Sequence, residues 1–316
     1  MRSLEQMFHV EQGAYSVADQ HRNGPRIIDY EDSTYRTDFW QGQGREYEDA
    51  VERIAIGKML PSRGRRVVDI GAGFGRLAGL YGAFDEVVLV DYSRSQLEFA
   101  RQQLGDERFV YVAADLYRLP LASGAADAAV MVRVMHHLLD VPAAVAQLAR
   151  MITAQGTLVL EFANKRHLKN IFRYLLHRGL NPFDREPAEF ADLHLDFHPA
   201  WVRQRLTEAG FHVEQQRAVS MFRLGILKRT VPVAWLAGLD GLLQRPLAPL
   251  TPGPSVFLKS RRQGAAAGVP VDRSALFCCP DCGHEPLVPA NEGVRCPACG
   301  SSWPIVNGVY TFKPQD

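Results

Sequence analysis

Residues 67–81, VVDIGAGFGRLAGLY, constrain the fold of this 316-residue chain more than any other stretch. A short β-branched run (Val67, Val68, Ile70) stops at Gly71, Gly73 and Gly75, and Arg-Leu-Ala-Gly-Leu-Tyr follows, so the stretch predicts strand, tight turn and helix. Glycine lets such a turn take left-handed dihedrals and come close to a nucleotide-like ligand that a Cβ would block. The spacing then separates ligand classes. A dinucleotide fingerprint, G-x-G-x-x-G, needs glycine at position 76, but the chain has Arg76 there and its third glycine one place earlier.

The strands that follow sharpen this reading. Residues 87–91 are an apolar run ending in Asp91, twenty residues after Gly71, where a carboxylate at a strand end can accept from both hydroxyls of a ribose. Residues 110–114 run into Asp115 and Leu116, and residues 127–132 run into Arg133-Val134-Met135-His136-His137-Leu138. Together with Asp69-x-Gly71-x-Gly73-x-Gly75, these stretches resemble in order and spacing the motifs of the class I S-adenosylmethionine (SAM) methyltransferases.

The resemblance implies an α/β, Rossmann-like fold with a seven-stranded, mostly parallel sheet and helices on both faces. It also implies a SAM site made by Asp69, Gly71, Ala72, Gly73, Gly75, Asp91, Tyr92, Asp115, Leu116 and Arg133. In that site Asp91 takes the ribose, Asp115 accepts from the adenine amino group and Leu116 packs on the ring. Arg133 orients the methionine carboxylate or the substrate, or is structural. A carboxylate beside the turn suits a cofactor that carries a positive sulfonium and amino group.

Composition agrees with a large α/β domain plus an appendage. The chain is 47% hydrophobic, and 36 Lys and Arg stand against 35 Asp and Glu, so no global field draws it to nucleic acid or an anionic membrane. No N-terminal apolar region or membrane-length apolar run is present, which predicts a cytoplasmic protein without a membrane span, as a monomer or homodimer. The expected divisions are an N-terminal extension over 1–35 with little regular structure, a methyltransferase domain over 36–259, a linker over 260–273 and a metal ribbon over 274–316.

Two insertions interrupt the strand–helix alternation. In residues 165–180, Leu168, Ile171, Phe172, Leu175 and Leu176 fall on one helical face, while Lys165, Arg166, Lys169, Arg173 and Arg178 supply five cations with no acid between them. A docked helix with a solvated basic face and a phosphate-binding helix both fit this pattern. Residues 221–247 carry an apolar run broken by Asp240, which reads as a lid over an acceptor pocket or as a dimer face. A helix after Asp38, containing Arg45, Tyr47 and Glu48, is expected at the mouth of the cofactor site, as a gate or as an ordinary docking helix.

All five cysteines lie between Cys278 and Cys299. Cys279-Pro-Asp-Cys282 and Cys296-Pro-Ala-Cys299 are two C-P-x-C knuckles thirteen residues apart, a spacing for one tetrahedral zinc site with Cys278 left over. With the Trp303-to-Tyr310 ending, this tail resembles the small zinc-binding activator subunit of tRNA- and release-factor-modifying methyltransferases. The resemblance implies a ribbon that docks on its catalytic partner.

Methyl transfer from a sulfonium is an in-line displacement, so an enzyme of this kind chiefly aligns donor and acceptor and removes a proton where the acceptor requires it. The core lacks cysteine, which excludes a covalent thiolate route to carbon five of pyrimidines. It also lacks an Asn-Pro-Pro-aromatic motif after the fourth strand, which argues against exocyclic amines and glutamine amides as acceptors. His136 and His137 stand where a general base could reach the acceptor, or serve as packing histidines. The His-His-Leu motif and the apolar insertion resemble small-molecule members, pointing to a small apolar acceptor. The ribbon and basic helix point instead to RNA or a translation-related protein, and a non-catalytic SAM-binding protein is the third reading.

Overall fold

The computed structural model describes residues 16–18, 27–29, 31, 44–191, 193–264 and 272–313. Its centre is an eleven-stranded sheet. Seven of the strands form the core: β3 (Gly64–Ile70), β4 (Phe84–Asp91), β5 (Phe109–Ala113), β6 (Ala126–Met131), β7 (Ile152–Ala163), β10 (Phe211–Val219) and β11 (Ser255–Arg262). They lie in the order β10-β11-β7-β6-β3-β4-β5. β3 through β7 pair in parallel, whereas β11 is inserted antiparallel between β7 and β10. This is the mostly parallel sheet expected, and its apolar strand runs explain it. A strand buried on both faces needs side chains of both parities apolar. Val67, Val87 and Leu89 accordingly feed one hydrophobic cluster, and Val68, Val88 and Val90 the other.

The helices form where caps and periodicity place them. α1 (Glu46–Gly57) precedes β3; α2 (Arg94–Leu104) begins where Ser93 Oγ accepts from the Gln96 amide; and in α3 (Val141–Met151) Asp140 accepts from the Ala143 amide. α4 (Leu168–Leu175) and the hairpin of β8 (Ala188–Ala191) and β9 (His194–Asp196) form the first insertion. α5 (Pro199–Glu208) is capped by His198, whose Nδ1 accepts from the Ala200 amide. α6 (Gly225–Thr230) and α7 (Val233–Leu243) form the second insertion.

Several expectations are corrected. The segment after Gly75 makes only a 3-10 turn, Ala78–Leu80, before β4 starts at Phe84. Gly79 and Gly82 disfavour a helix, and the connection is too short to hold one. Residues within the N-terminal extension pair as a short ribbon, β1 (Ser16–Ala18) against β2 (Ile27–Asp29). β11 continues through Arg262, three residues into the expected linker, because its amides and carbonyls keep partners on both sides. The expected helix residues 38–43 lie outside the described residues.

The cysteine-rich tail does not stand apart. Its strands β12 (Val288–Ala290), β13 (Gly293–Arg295), β14 (Ser302–Val306) and β15 (Val309–Thr311) continue the same sheet. β15 pairs in parallel with the edge strand β5, Val309 opposite Tyr111 and Thr311 opposite Ala113. The Cys278 amide donates to the Pro120 carbonyl at 3.0 Å, and Phe277, Trp303 and Phe312 enter the main hydrophobic cluster. Glu86 receives both Arg66 from the core and Arg273 from the tail.

Candidate functional site

A cavity opens at the carboxyl ends of β3, β4 and β5, where open α/β sheets bind ligands. Gly71, Ala72, Gly73, Asp91, Tyr92, Asp115, Leu116 and Arg133 all line it. Asp69 and Gly75 do not. The three glycines have φ values of +70°, +52° and +78°, a region costly for other residues. Their tasks differ. A Cβ on Gly71 would lie 2.1 Å from a Val134 methyl, and one on Gly75 would lie 2.9 Å from Leu104, so both glycines admit neighbouring side chains. A Cβ on Gly73 would meet nothing within 4 Å. Gly73 therefore keeps its space clear on the cavity side, where a ligand can approach the backbone.

Asp91 shapes the same turn. Its two carboxylate oxygens accept from the amides of Gly73 (2.7 Å) and Ser93 (2.8 Å). Burial nevertheless pushes its carboxyl up to about 6, against the pull of the Ser93 and Gly73 amides. Asp115 caps the short turn that carries Leu116, accepting from the Tyr117 amide at 2.7 Å. Asp69 is buried beneath the turn, and burial pushes it up to about 7 against the Tyr81 hydroxyl and Arg76. Its position supports the loop from below.

Among the cavity residues outside the expected site are Ile27, Phe74, Arg76 and Tyr117. Only Arg76 carried a signal, as the residue displacing a glycine. Arg76 and Arg133 converge on Glu52 of α1: Glu52 accepts from Arg76 Nη2 at 2.8 Å and from Arg133 Nε at 2.9 Å, with Arg133 Nη2 in ion-pair contact at 2.8 Å. Arg76 also pairs with Asp49. Burial raises the Glu52 carboxyl, but Arg133 and then Arg76 outweigh it and hold the group below the usual range. Arg133 itself has φ of +61°, and its amide donates to Glu161 Oε2 at 2.9 Å.

α1 is anchored rather than free to swing. Tyr47 is fully buried, its hydroxyl donating to Asp240 Oδ2 at 2.7 Å and accepting from the Phe222 amide. Glu48 pairs with Lys228 at 3.0 Å. Glu161 and Asn164, at the end of β7, are likewise spent on structure: Ser255 Oγ donates to Glu161, and Asn164 Nδ2 donates to the Thr251 and Gly253 carbonyls.

Of the two histidines after β6, His137 lines the cavity and His136 does not. The His137 Nδ1 lies 3.0 Å from the Leu193 carbonyl, which can only accept, so Nδ1 carries the proton and Nε2 is an acceptor. Burial pushes His137 down to about 3, which keeps its ring neutral. The His136 ring lies 3.8 Å from that of His137, and His194 of β9 meets His137 edge-on at 4.8 Å. The alternating segment around His194 gave no sequence signal for this role.

The ligand atoms of Cys279, Cys282, Cys296 and Cys299 all lie within 4.8 Å of one another. Two of the Sγ···Sγ distances are 3.6 Å, close to the edge of about 3.8 Å for a tetrahedron with Zn–S bonds of about 2.3 Å. Each knuckle turns the same way, with the Cys282 amide aimed at Cys279 Sγ and the Cys299 amide at Cys296 Sγ. Cys278 is outside the cluster, its thiol donating to the Leu121 carbonyl at 3.1 Å in the seam between tail and core.

Residues 68–160 match the family model described as a methyltransferase domain. An O-methyltransferase of Penicillium expansum is 31% identical over 120 residues, 35% of this chain and 43% of that protein. A ubiquinone/menaquinone biosynthesis C-methyltransferase of Shewanella halifaxensis is 28% identical over 179 residues, 51% of this chain and 71% of that one. The chain spans 43% and 61% of the length of the first two curated relatives it matches. A SAM-dependent methyltransferase from Mesorhizobium loti has a similar fold at 22% identity, with a TM-score of 0.50, covering 68% of this chain and 100% of that one.

The Glu52 clamp yields a stability prediction. Because its folded pKa is lowered, Glu52 stabilises the protein above the ordinary carboxylate range, and that contribution disappears as pH falls through the depressed value. Glu52→Gln leaves two arginines facing a neutral amide and should cost about 3 kcal/mol in urea unfolding at pH 7. The difference from the unsubstituted protein should shrink in acid; a constant difference across pH would contradict the clamp.

Proposed function

We propose that this protein, whose core belongs to the class I SAM methyltransferases, transfers a methyl group to a small apolar acceptor. The observation that carries the reading is the clear space at Gly73, which lies in one cavity with Asp91, Tyr92, Asp115 and Leu116. These residues fit SAM: a close backbone approach, a carboxylate for the ribose hydroxyls, and a capping acid beside an apolar side chain for the adenine. Bound there, SAM supplies an activated methyl on a positive sulfur. The chain's residues then hold and align the reactants.

His137 is the residue proposed to face the acceptor. With Nδ1 committed to Leu193, Nε2 can accept a hydrogen bond from an acceptor hydroxyl or acidic C–H and hold it in line. A ring whose pKa lies near 3 has little drive to take a proton completely, so positioning outweighs base catalysis. His136 and His194 pack around that ring. The weaker alternative, RNA or a translation-related protein as acceptor, draws on the docked tail.

The four-cysteine cluster is proposed to hold zinc, with the tail steadying the cofactor rim. Lys313, just beyond β15, lies 4.0 Å from the centre of the Tyr92 ring and 3.3 Å from Asp29. The metal-held lobe thus reaches a residue that lines the cavity.

Three measurements test these assignments. Calorimetry on Asp91→Ala should show SAM binding weakened by about 1.5–3 kcal/mol. In the unsubstituted protein, affinity should fall as pH drops below about 6, where Asp91 gains its proton; pH-independent binding, or tight NAD binding, contradicts the site. For the histidines, His137→Ala should reduce turnover by about tenfold with SAM affinity intact, whereas a hundredfold loss identifies a base. A larger effect at His136→Ala would reverse the assignment. Metal analysis should find one zinc per chain, and chelation should lower the melting temperature by about 5 °C or more and weaken SAM binding. A chelated protein with unaltered melting contradicts the coupling of tail to core.

A further inference from the structure

Among the described residues, every strongly exposed large apolar side chain except Leu139, Leu250, Val288 and Ile305 belongs to one of the two insertions. α4 has no buried residue at all. Its apolar face points outward, with Leu168, Phe172 and Leu175 exposed by 51%, 63% and 63%. This reverses the docked-helix reading of the sequence. α7 behaves similarly on one side. Leu236, Ala237 and Asp240 pack toward α1, while Trp235, Leu239 and Leu242, at i, i+4 and i+7, face away.

The two insertions meet at the start of α4. The Leu168 amide donates to the Pro252 carbonyl, just beyond the second insertion, and Arg223 at the start of that insertion acts electrostatically on His167 at the start of α4. Their charge is one-sided. Residues 165–183, up to Asp184, contain five Lys and Arg, and residues 221–239, up to Asp240, contain three, with no acid in either stretch. Lys165 pairs with Asp184, and Arg223 and Lys228 with Glu48, which leaves Lys169 and Arg173 of α4 without such a pair among the described residues.

We propose that α4 and the outward face of α7 dock this protein on an anionic lipid bilayer surface. Aliphatic and aromatic side chains on one helical face, flanked by cations, match the interfacial mode of binding: the apolar side enters the acyl boundary and Lys and Arg meet the headgroups. A second copy of the chain would bring cations against cations. An RNA backbone would pair with the cations but leave the leucines exposed to water. Among the described residues no helix is long and apolar enough to cross a membrane, so the contact is with the surface. The inference goes beyond the proposed activity, and its test requires no methyl transfer.

The test is flotation of the full-length protein with vesicles of equal parts phosphatidylglycerol and phosphatidylcholine, compared with phosphatidylcholine alone. Binding to the anionic vesicles is expected, with a blue shift in tryptophan emission that is absent in Trp235→Phe. Lys169→Gln with Arg173→Gln should weaken partition roughly thirtyfold, about fivefold per cation. Phe172→Ser with Leu175→Ser should abolish it while leaving melting temperature and SAM affinity unchanged. The proposal is overturned by absence from anionic vesicles, by undiminished binding of either double variant, by retention of tRNA instead of vesicles, or by a dimer that the Phe172/Leu175 variant dissolves.

Discussion

A buried carboxylate must be matched by positive charge or give up its own, and Glu52 is matched twice. Arg76 comes from the glycine turn and Arg133 from the end of β6, so one side chain of α1 joins the two loops that make the walls of the cavity. The same helix holds the second insertion through Tyr47 and Asp240, and Gln244 Nε2 donates to the Val51 carbonyl. The residue that blocks a dinucleotide fingerprint, Arg76, is therefore the one that fastens the helix. A glycine there would leave Glu52 with Arg133 alone.

The sheet and the glycine turn and acids of the cavity were legible because they rest on local rules. Apolar runs ending in Asp91 and Asp115 and glycines at alternate places each constrain the backbone within a few residues. What escaped notice was long-range. Ile27 and Tyr117 reach the cavity through tertiary placement, and His194 meets His137 only because the first insertion folds back. The helix expected after Gly75 failed for a local reason, two further glycines in a short connection. The reading of α4 failed because periodicity tells which residues share a face and is silent on what the face meets.

Net charge was a poor guide for the same reason. A value of +1 averages acids of the core and tail with a stretch from 165 to 183 that has none. The acids are spent in place: Glu86 on Arg66 and Arg273, Asp49 and Glu52 on Arg76, Glu214 on Arg261. The insertions keep their cations largely outside these pairings, apart from Lys165, Lys228 and Arg223. Distribution, which only the fold reveals, decides what such a surface can meet.

The pairing of β15 with β5 involves only three residues on each strand. Between separate molecules, so short a ladder would have to overcome the entropy of association each time it formed. Here the two strands belong to one polypeptide, and a short tether holds its ends at an effective concentration on the order of millimolar. Such a contact needs little intrinsic affinity and is indifferent to dilution. Covalent continuity also fixes the stoichiometry at one four-cysteine lobe per methyltransferase core, so the two parts cannot be produced out of proportion.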